Sequence, residues 1–206
     1  MYEALFIVPL CILFFILIYH SLKTNGKRTT LLFFGIALIF AFLRELIIGL
    51  TYPLYFSNFK IGPIPPAIML GWVFAFYLGD YFARKITADT RFANNIFVKI
   101  CLGTFVVLGI ALIMETTAPL LGWWWFQEGL LESLPPAAII LGAPLFVLIG
   151  WSTTGATFLG IYYLLQQYNY QLKVILLSSI LYSAIIINFV MCNYIILYHP
   201  PLPFPY

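Results

Sequence analysis

The chain has 206 residues, of which 63% are hydrophobic and only 8% are charged. This composition excludes a water-soluble globular domain, because most of the chain is too apolar to form a surface in contact with water. The net charge of +3 does not indicate nucleic-acid binding, since membrane topology explains where the basic residues lie. We therefore predict an all-α polytopic membrane helix bundle that forms a single domain over residues 1–206, with membrane lipid around it and no nucleic-acid partner.

Apolar runs of about 20 residues, the length that crosses a bilayer, predict about six transmembrane helices. The predicted helices are 5–20, 30–50, 67–84, 95–114, 137–165 and 174–198. Pro65 and Pro66 give the third helix a stiff start, and Pro144 is expected to divide the fifth. The piece before Pro144 is then short enough to lie in the interface or to re-enter the membrane. The last residues, after position 198, are rich in proline and predict a short extended tail.

The basic residues predict the orientation of the bundle. With the helices above, one side of the membrane receives Lys23, Lys27, Arg28, Arg84, Lys85, Arg91, Lys99 and Lys173. Lys60 falls on the other side. Because cytoplasmic loops carry the excess of Lys and Arg, the first side is predicted to be cytoplasmic. Both termini and the tryptophan-rich connection 116–136 are then predicted to be non-cytoplasmic.

Four ionisable residues lie in or at the ends of the apolar runs: Arg44, Glu45, Asp80 and Glu115. Each costs about 2.5–3.5 kcal/mol at membrane depth unless it is paired or hydrated, so such groups are candidates for function. Asp80 and Arg84 are four residues apart on one helix face, which predicts a structural ion pair. Arg44 and Glu45 are adjacent and point about 100° apart around a helix, so at least one needs a partner on another helix or in a wet cavity.

Glu45 and Glu115 are predicted to approach each other near the non-cytoplasmic surface. Burial and like-charge repulsion would keep at least one of these carboxyl groups protonated, which gives a proton donor that works near neutral pH. The alternative is that Arg44 neutralises one carboxylate and that the group only fixes contacts between helices.

Three consecutive tryptophans, Trp123, Trp124 and Trp125, follow Glu115 in the longest connection. Tryptophan favours the headgroup region, so a membrane belt is one interpretation. The other is an aromatic box that binds a polyene and stabilises a carbocation through its ring faces. The histidines, His20 and His199, lie near opposite membrane surfaces, which argues against a histidine metal site.

Two segments of the chain each contain a characteristic order of residue types. The later one has an acid, an aromatic cluster, a Gly-x-Pro and a Gly-Trp: Glu115, Gly122, Trp123, Trp124, Trp125, Gly142, Pro144, Gly150 and Trp151. The earlier one has an acid, a turn with Thr and Tyr, a Gly, a Pro and a Trp: Glu45, Thr51, Tyr52, Tyr55, Gly62, Pro65, Pro66 and Trp72. In order and spacing these residues resemble the integral-membrane carotenoid biosynthesis proteins that include the bisanhydrobacterioruberin hydratases. The chain departs from that pattern at Thr116, Phe126 and Val147, the last in place of an asparagine.

The resemblance implies action on a long isoprenoid or carotenoid, with cofactor-independent hydration of a terminal alkene of an acyclic carotenoid as the expected reaction. Glu115 or Glu45 would act as the catalytic acid, and water would capture the cation. The residues expected to bind the substrate are Arg44, Tyr55, Trp72, Trp123, Trp124, Trp125 and Trp151. No metal and no cofactor are expected, and the expected location is a prokaryotic cytoplasmic membrane.

Two other functions fit parts of the sequence. The loss of the asparagine at Val147 removes a polar group that could orient water, which favours a non-catalytic membrane subunit or a pigment-binding scaffold with a protein partner or a second copy of the chain. A small transporter would use Arg44 and Glu45, but it requires a continuous polar path across the membrane.

Overall fold

The computed structural model describes residues 2–51, 55–56, 60–62, 64–126 and 130–167. Its helices are α1 (Tyr2–Asn25), α2 (Lys27–Thr51), α3 (Pro66–Thr87), α4 (Ile96–Leu120), the short α5 (Leu130–Ser133) and α6 (Leu145–Gln167), with a 3-10 turn at Pro136–Ala138. Its strands are β1 (Tyr55–Phe56), β2 (Trp125–Phe126), β3 (Ile139–Ile140) and β4 (Ala143–Pro144). The predicted helix at 174–198 and the tail lie outside the described residues.

The predicted all-α membrane bundle is confirmed. In the described part of the chain, five helices, α1, α2, α3, α4 and α6, are long and apolar enough to cross a membrane. The chain is therefore an integral membrane protein. The first four predicted helices correspond to α1 to α4, and α3 begins with Pro65 at its N-cap and Pro66 in its first turn, as predicted.

The prediction of a fifth helix from residue 137 is wrong at its start. Residues 136–144 form a 3-10 turn and a two-residue hairpin in which β3 pairs antiparallel with β4. The hairpin turns at Leu141 and Gly142, whose φ angles are 52° and 84°. Positive φ angles at both positions are what the type I′ turn of a two-residue hairpin loop requires. Pro144 then precedes α6, so the helix begins after the proline and is not divided by it.

Helix α3 lies at the centre of the bundle and packs against α1, α2, α4 and α6, while α4 packs against α3 and α6. Glycines make the closest approach possible. A Cβ on Gly103 would lie 3.0 Å from the carbonyl oxygen of Gly79, and one on Gly155 would lie 3.0 Å from Val107. Small residues let helix backbones pack closely in membranes, where dispersion replaces the hydrophobic effect as the attraction between helices.

Buried rings fill the middle of the bundle. Phe40, Phe76 and Phe158 contact one another, with Phe76 and Phe158 stacked at a centroid distance of 4.1 Å. Phe33 and Tyr162 continue the cluster at 4.8 Å. We call these five residues the aromatic layer.

A polar cluster lies on one side of the aromatic layer, at the end of the bundle where α1 ends and α2 begins. The predicted ion pair is confirmed, since Arg84 binds Asp80 through Nη2 to Oδ2 at 2.7 Å and Nε to Oδ1 at 3.1 Å. Arg84 also donates to the Asn25 side chain. His20 Nδ1 and the Tyr77 hydroxyl are 2.7 Å apart. These contacts connect α1 to α3 and satisfy a carboxylate that is buried at membrane depth.

The glycine contacts generate a test of the packing. Gly103→Leu is expected to lower the free energy of unfolding by about 1–3 kcal/mol, because overpacking forces backbones apart. Its first side-chain atom would meet Gly79 and the end of Leu159. Gly109→Leu on the same helix is the matched control, since a Cβ there meets nothing within 4 Å. Unfolding by SDS in detergent micelles measures both, and an equal loss in the two variants would contradict the packing described.

Candidate functional site

Four side chains meet at the end of the bundle opposite the polar cluster. Glu45 lies near the end of α2 and Glu115 near the end of α4, while Trp72 and Trp151 lie in the second turn of α3 and α6. Because α2 pairs with α3 and α4 pairs with α6 as antiparallel neighbours, the ends of the first helices and the starts of the second lie together. All four side chains are buried.

The end of α4 directs the tryptophan-rich connection back over the site. Gly122 has a φ of 66°, the left-handed conformation that commonly ends a helix. Its N–H donates to the carbonyl of Pro119, and the N–H of Trp123 donates to that of Ala118. These two bonds form a Schellman motif, which satisfies the last carbonyls and reverses the chain. Trp124 is thereby placed beside Glu115.

A short sheet joins the two connections that border the site. Strand β1 from the α2–α3 connection pairs antiparallel with β2, with Tyr55 opposite Phe126 and Phe56 opposite Trp125. Only the backbone of Tyr55 and Trp125 is described. Their predicted contacts with a substrate therefore lie outside the described side chains, while Phe126 is buried in a small apolar cluster with Leu134 and Phe146.

Glu115 is hydrogen-bonded by indoles. Trp151 Nε1 donates to Oε1 at 2.7 Å, and Trp124 Nε1 donates to Oε2 at 3.4 Å. Only 6% of the residue is exposed. Within the described residues these two donors are neutral, and Glu115 makes no ion pair there. Its Oε2 has the longer and therefore weaker bond, which leaves that oxygen available for a proton.

Glu45 has a different set of partners. Its Oε1 accepts a hydrogen bond from Trp72 Nε1 at 2.8 Å and forms an ion pair with the Arg44 guanidinium. The divergence of Arg44 and Glu45 around the helix does not keep them apart, because the long arginine side chain bends back to the carboxylate although the two Cβ atoms diverge. The expected partner on another helix is present as well, in Trp72 on α3.

The two carboxyl groups are connected by a pair of stacked indoles. The rings of Trp72 and Trp151 are 3.9 Å apart at their centroids and inclined by 29°. The guanidinium carbon of Arg44 lies over the ring of Trp72, 4.1 Å from the ring centroid, which is a cation–π contact. We call Arg44, Glu45, Trp72, Trp151 and Glu115 the carboxyl–indole centre.

A cavity of about 320 Å³ adjoins the carboxyl–indole centre. Its described lining is Pro9, Leu10, Leu13, Ala67, Ile68, Gly71, Phe74, Ile110, Met114, Trp123, Trp124 and Trp151. These residues come from α1, α3, α4, α6 and the tryptophan-rich connection, and their side chains are apolar apart from the indole N–H groups. The cavity therefore suits a hydrocarbon and ends beside the indoles that hold Glu115.

Sequence reasoning missed the contribution of α1 to this cavity. Leu10 and Leu13 are indistinguishable from any other apolar residues of a membrane helix. Pro9 inside α1 was the sequence feature that could have indicated this contribution, because a proline within a spanning helix marks a local irregularity. The stacking of Trp72 on Trp151 was also missed, since it joins residues far apart in sequence.

The partners of Glu45 generate a double-mutant test. Arg44→Met is expected to lower the free energy of unfolding by about 3–5 kcal/mol, because it leaves a buried carboxylate without its counter-charge. Arg44→Met combined with Glu45→Gln is expected to recover most of that loss. SDS unfolding in micelles measures the cycle, with the exposed Arg28→Met as the control. If the single and the double variant are equally destabilised, Arg44 does not stabilise the bundle through Glu45.

Comparison of the chain with models of known protein families, with curated proteins and with solved structures finds no match in any of the three. Membership of the carotenoid biosynthesis family is therefore supported by the resemblance of the residues alone and stays a prediction.

Proposed function

We propose that the protein adds water to a terminal trisubstituted alkene of an acyclic carotenoid or similar long isoprenoid, with Glu115 as the catalytic acid. The observation that carries this proposal is a buried carboxyl group held by the N–H groups of two indoles, Trp124 and Trp151, which themselves line an apolar cavity. A hydrocarbon substrate offers no polar group to bind, so its reaction depends on a proton donor placed where the apolar chain ends.

The different partners of the two carboxyl groups support Glu115 as the acid. Glu45 shares its Oε1 between the Arg44 guanidinium and Trp72, so it is already one half of a buried ion pair. Glu115 has neutral donors among the described residues, and a buried carboxyl group without a paired cation is most stable when it is neutral. Arg44 and Glu45 form an ion pair with each other, so within the described residues Arg44 is the counter-charge of Glu45 and not of Glu115.

The chemistry follows from this arrangement and needs one proton and one water. Glu115 gives its proton to the less substituted alkene carbon, and the π electrons form the new C–H bond. The tertiary cation left on the other carbon faces the rings of Trp124 and Trp151, whose π clouds stabilise positive charge. Water adds to the cation and returns a proton to the Glu115 carboxylate, which restores the acid.

Water has a short path to this site. Glu115 lies five residues before the end of α4 at Leu120, about 8 Å along a helix axis at 1.5 Å per residue. Val147, at the position where the similar family has asparagine, packs against the apolar cluster of Phe126. The Glu115 carboxylate is therefore the group that orients the incoming water in this proposal.

The proposed orientation places the reaction on the non-cytoplasmic side of a prokaryotic cytoplasmic membrane. The basic residues Lys27 and Arg28 in the first turn of α2, Lys85 in the last turn of α3 and Arg91 in the α3–α4 connection lie at the end of the bundle opposite the carboxyl–indole centre. An excess of basic residues marks the cytoplasmic side. This supports a non-cytoplasmic site and a non-cytoplasmic N-terminus.

The aromatic layer argues against the transporter alternative. Phe40, Phe76 and Phe158 pack between the carboxyl–indole centre and the polar cluster, and all three are buried. Transport of an ion requires polar groups or water along the whole path. Within the described residues, the buried charged side chains are instead gathered at the two ends, with Arg44, Glu45 and Glu115 at one end and Asp80 at the other.

Replacing the acid tests the proposal. Glu115→Gln keeps the size of the side chain and removes the transferable proton, so the yield of hydrated pigment is expected to fall about 10²–10⁴-fold. The assay is co-expression with an acyclic carotenoid pathway, followed by mass spectrometry for a product heavier by one water. The exposed Glu132→Gln is the matched control and keeps full activity.

Two outcomes contradict the proposal. An intact, folded wild-type protein that gives no hydrated product under these conditions would favour the scaffold alternative. Hydration that survives in Glu115→Gln and is lost in Glu45→Gln would show that the acid has been assigned to the wrong carboxyl group.

A further inference from the structure

The cavity beside the carboxyl–indole centre is too small for a whole carotenoid. At about 320 Å³ it lies near the lower limit of small-molecule pockets, which span about 300–1,000 Å³. A carotenoid is long and stiff because its double bonds are conjugated, so it cannot fold into this volume. Only one end of such a molecule fits beside Trp124 and Trp151.

The cavity lies in a gap between two membrane helices. Helix α1 packs against α2 and α3, and α4 packs against α3 and α6, so α1 and α4 lie on either side of α3. The cavity lining includes Leu13 from α1, Gly71 from α3 and Ile110 from α4. All three helices are long and apolar enough to span the membrane. Among the described helices, the gap between α1 and α4 therefore lies at the depth of the lipid chains.

Exposed residues on α1 and α4, next in sequence to residues that line the cavity, are apolar. Ile12 on α1 is 56% exposed and Ile113 on α4 is 64% exposed. Ile12 is next in sequence to Leu13, and Ile113 is next to Met114. Both Leu13 and Met114 line the cavity. An apolar chain that crosses from lipid into the cavity thus passes no charged group among the described lining residues.

We propose that a long isoprenoid binds end-on, with its terminal isoprene unit inserted sideways from the bilayer through the gap between α1 and α4, and with the rest of the chain left among the lipids. The nature of the ligand rests on the proposed function, whereas the route rests on the cavity and its lining. The rings of Trp124 and Trp151, which hold Glu115, line the inner part of the cavity, so an alkene at the tip of the chain is the part that comes nearest to the acid.

Gly71 allows the cavity to be filled without disturbing the bundle. A Cβ added at Gly71 meets nothing within 4 Å, because the glycine faces the cavity. Gly71→Leu is therefore expected to fold and to occupy the space that the ligand needs. Gly35→Leu is the matched control, since Gly35 on α2 is exposed and its Cβ also meets nothing within 4 Å. Leucine has the higher helix propensity in both places.

The experiment uses the full chain in lipid nanodiscs with two photoreactive probes. Both are geranylgeranyl methyl ethers, one with a diazirine at the hydrocarbon end and one with a diazirine next to the ether. After irradiation, mass spectrometry compares labelling of Met114, which lines the cavity, with labelling of the outward-facing Ile113 on the same helix.

The expected result is that the probe tagged at the hydrocarbon end labels Met114, and that the probe tagged at the ether labels Ile113 and not Met114. Gly71→Leu is expected to lose most of the Met114 labelling and to keep that of Ile113, while Gly35→Leu behaves as the wild type. Equal labelling of Met114 by the two probes would overturn end-on binding. Absence of Met114 labelling would overturn the route from the bilayer and point to protein as the occupant of the cavity.

The outcome separates this inference from the proposed function. Glu115→Gln is expected to keep the Met114 labelling, because the reaction is lost and the cavity is not. If labelling follows the expected pattern but Glu115→Gln still hydrates a carotenoid, the end-on site stands and the acid assignment fails.

Discussion

The stacked pair of Trp72 and Trp151 is the contact on which the rest of the site depends. The centroids of the two rings lie 3.9 Å apart. Trp72 donates its N–H to Glu45, and Trp151 donates its N–H to Glu115. An indole has one donor and a broad apolar face. The pair can therefore satisfy two carboxyl groups at membrane depth while presenting an apolar surface to the cavity. It also fixes α3 against α6, because the rings come from the starts of those helices.

The two halves of the site are built alike and differ in one charge. In each half a helix ends near a glutamate, a short strand follows in the connection, and the returning helix carries a tryptophan that binds the glutamate. Arg44 belongs to the first half only, where it pairs with Glu45 and covers the face of Trp72. One carboxyl group is thereby half of an ion pair, and Glu115, which is held by two indoles that line the cavity, is the one to which the proposed chemistry is assigned.

Much of the bundle followed from the sequence because membrane helices are local features. The apolar runs gave α1 to α4, and the four-residue spacing of Asp80 and Arg84 gave their ion pair. The features that the sequence did not predict depend on contacts between distant residues and on the flexibility of side chains. Whether Arg44 contacts Glu45 depends on the rotamer of the arginine rather than on the angle between the two residues around the helix. Leu141 and Gly142 both have positive φ angles and form a hairpin turn, inside an apolar stretch that the hydrophobic pattern assigned to a helix.

Infrared difference spectroscopy tests most directly whether the two carboxyl groups differ as described. A protonated carboxyl group shows a C=O stretch that a carboxylate lacks. The protein in lipid is expected to show this band for one buried glutamate, to lose it in Glu115→Gln, and to keep it when Arg44→Met and Glu45→Gln are combined. A band that persists in Glu115→Gln and disappears in the combined variant would contradict the assignment of Glu115 as the proton donor.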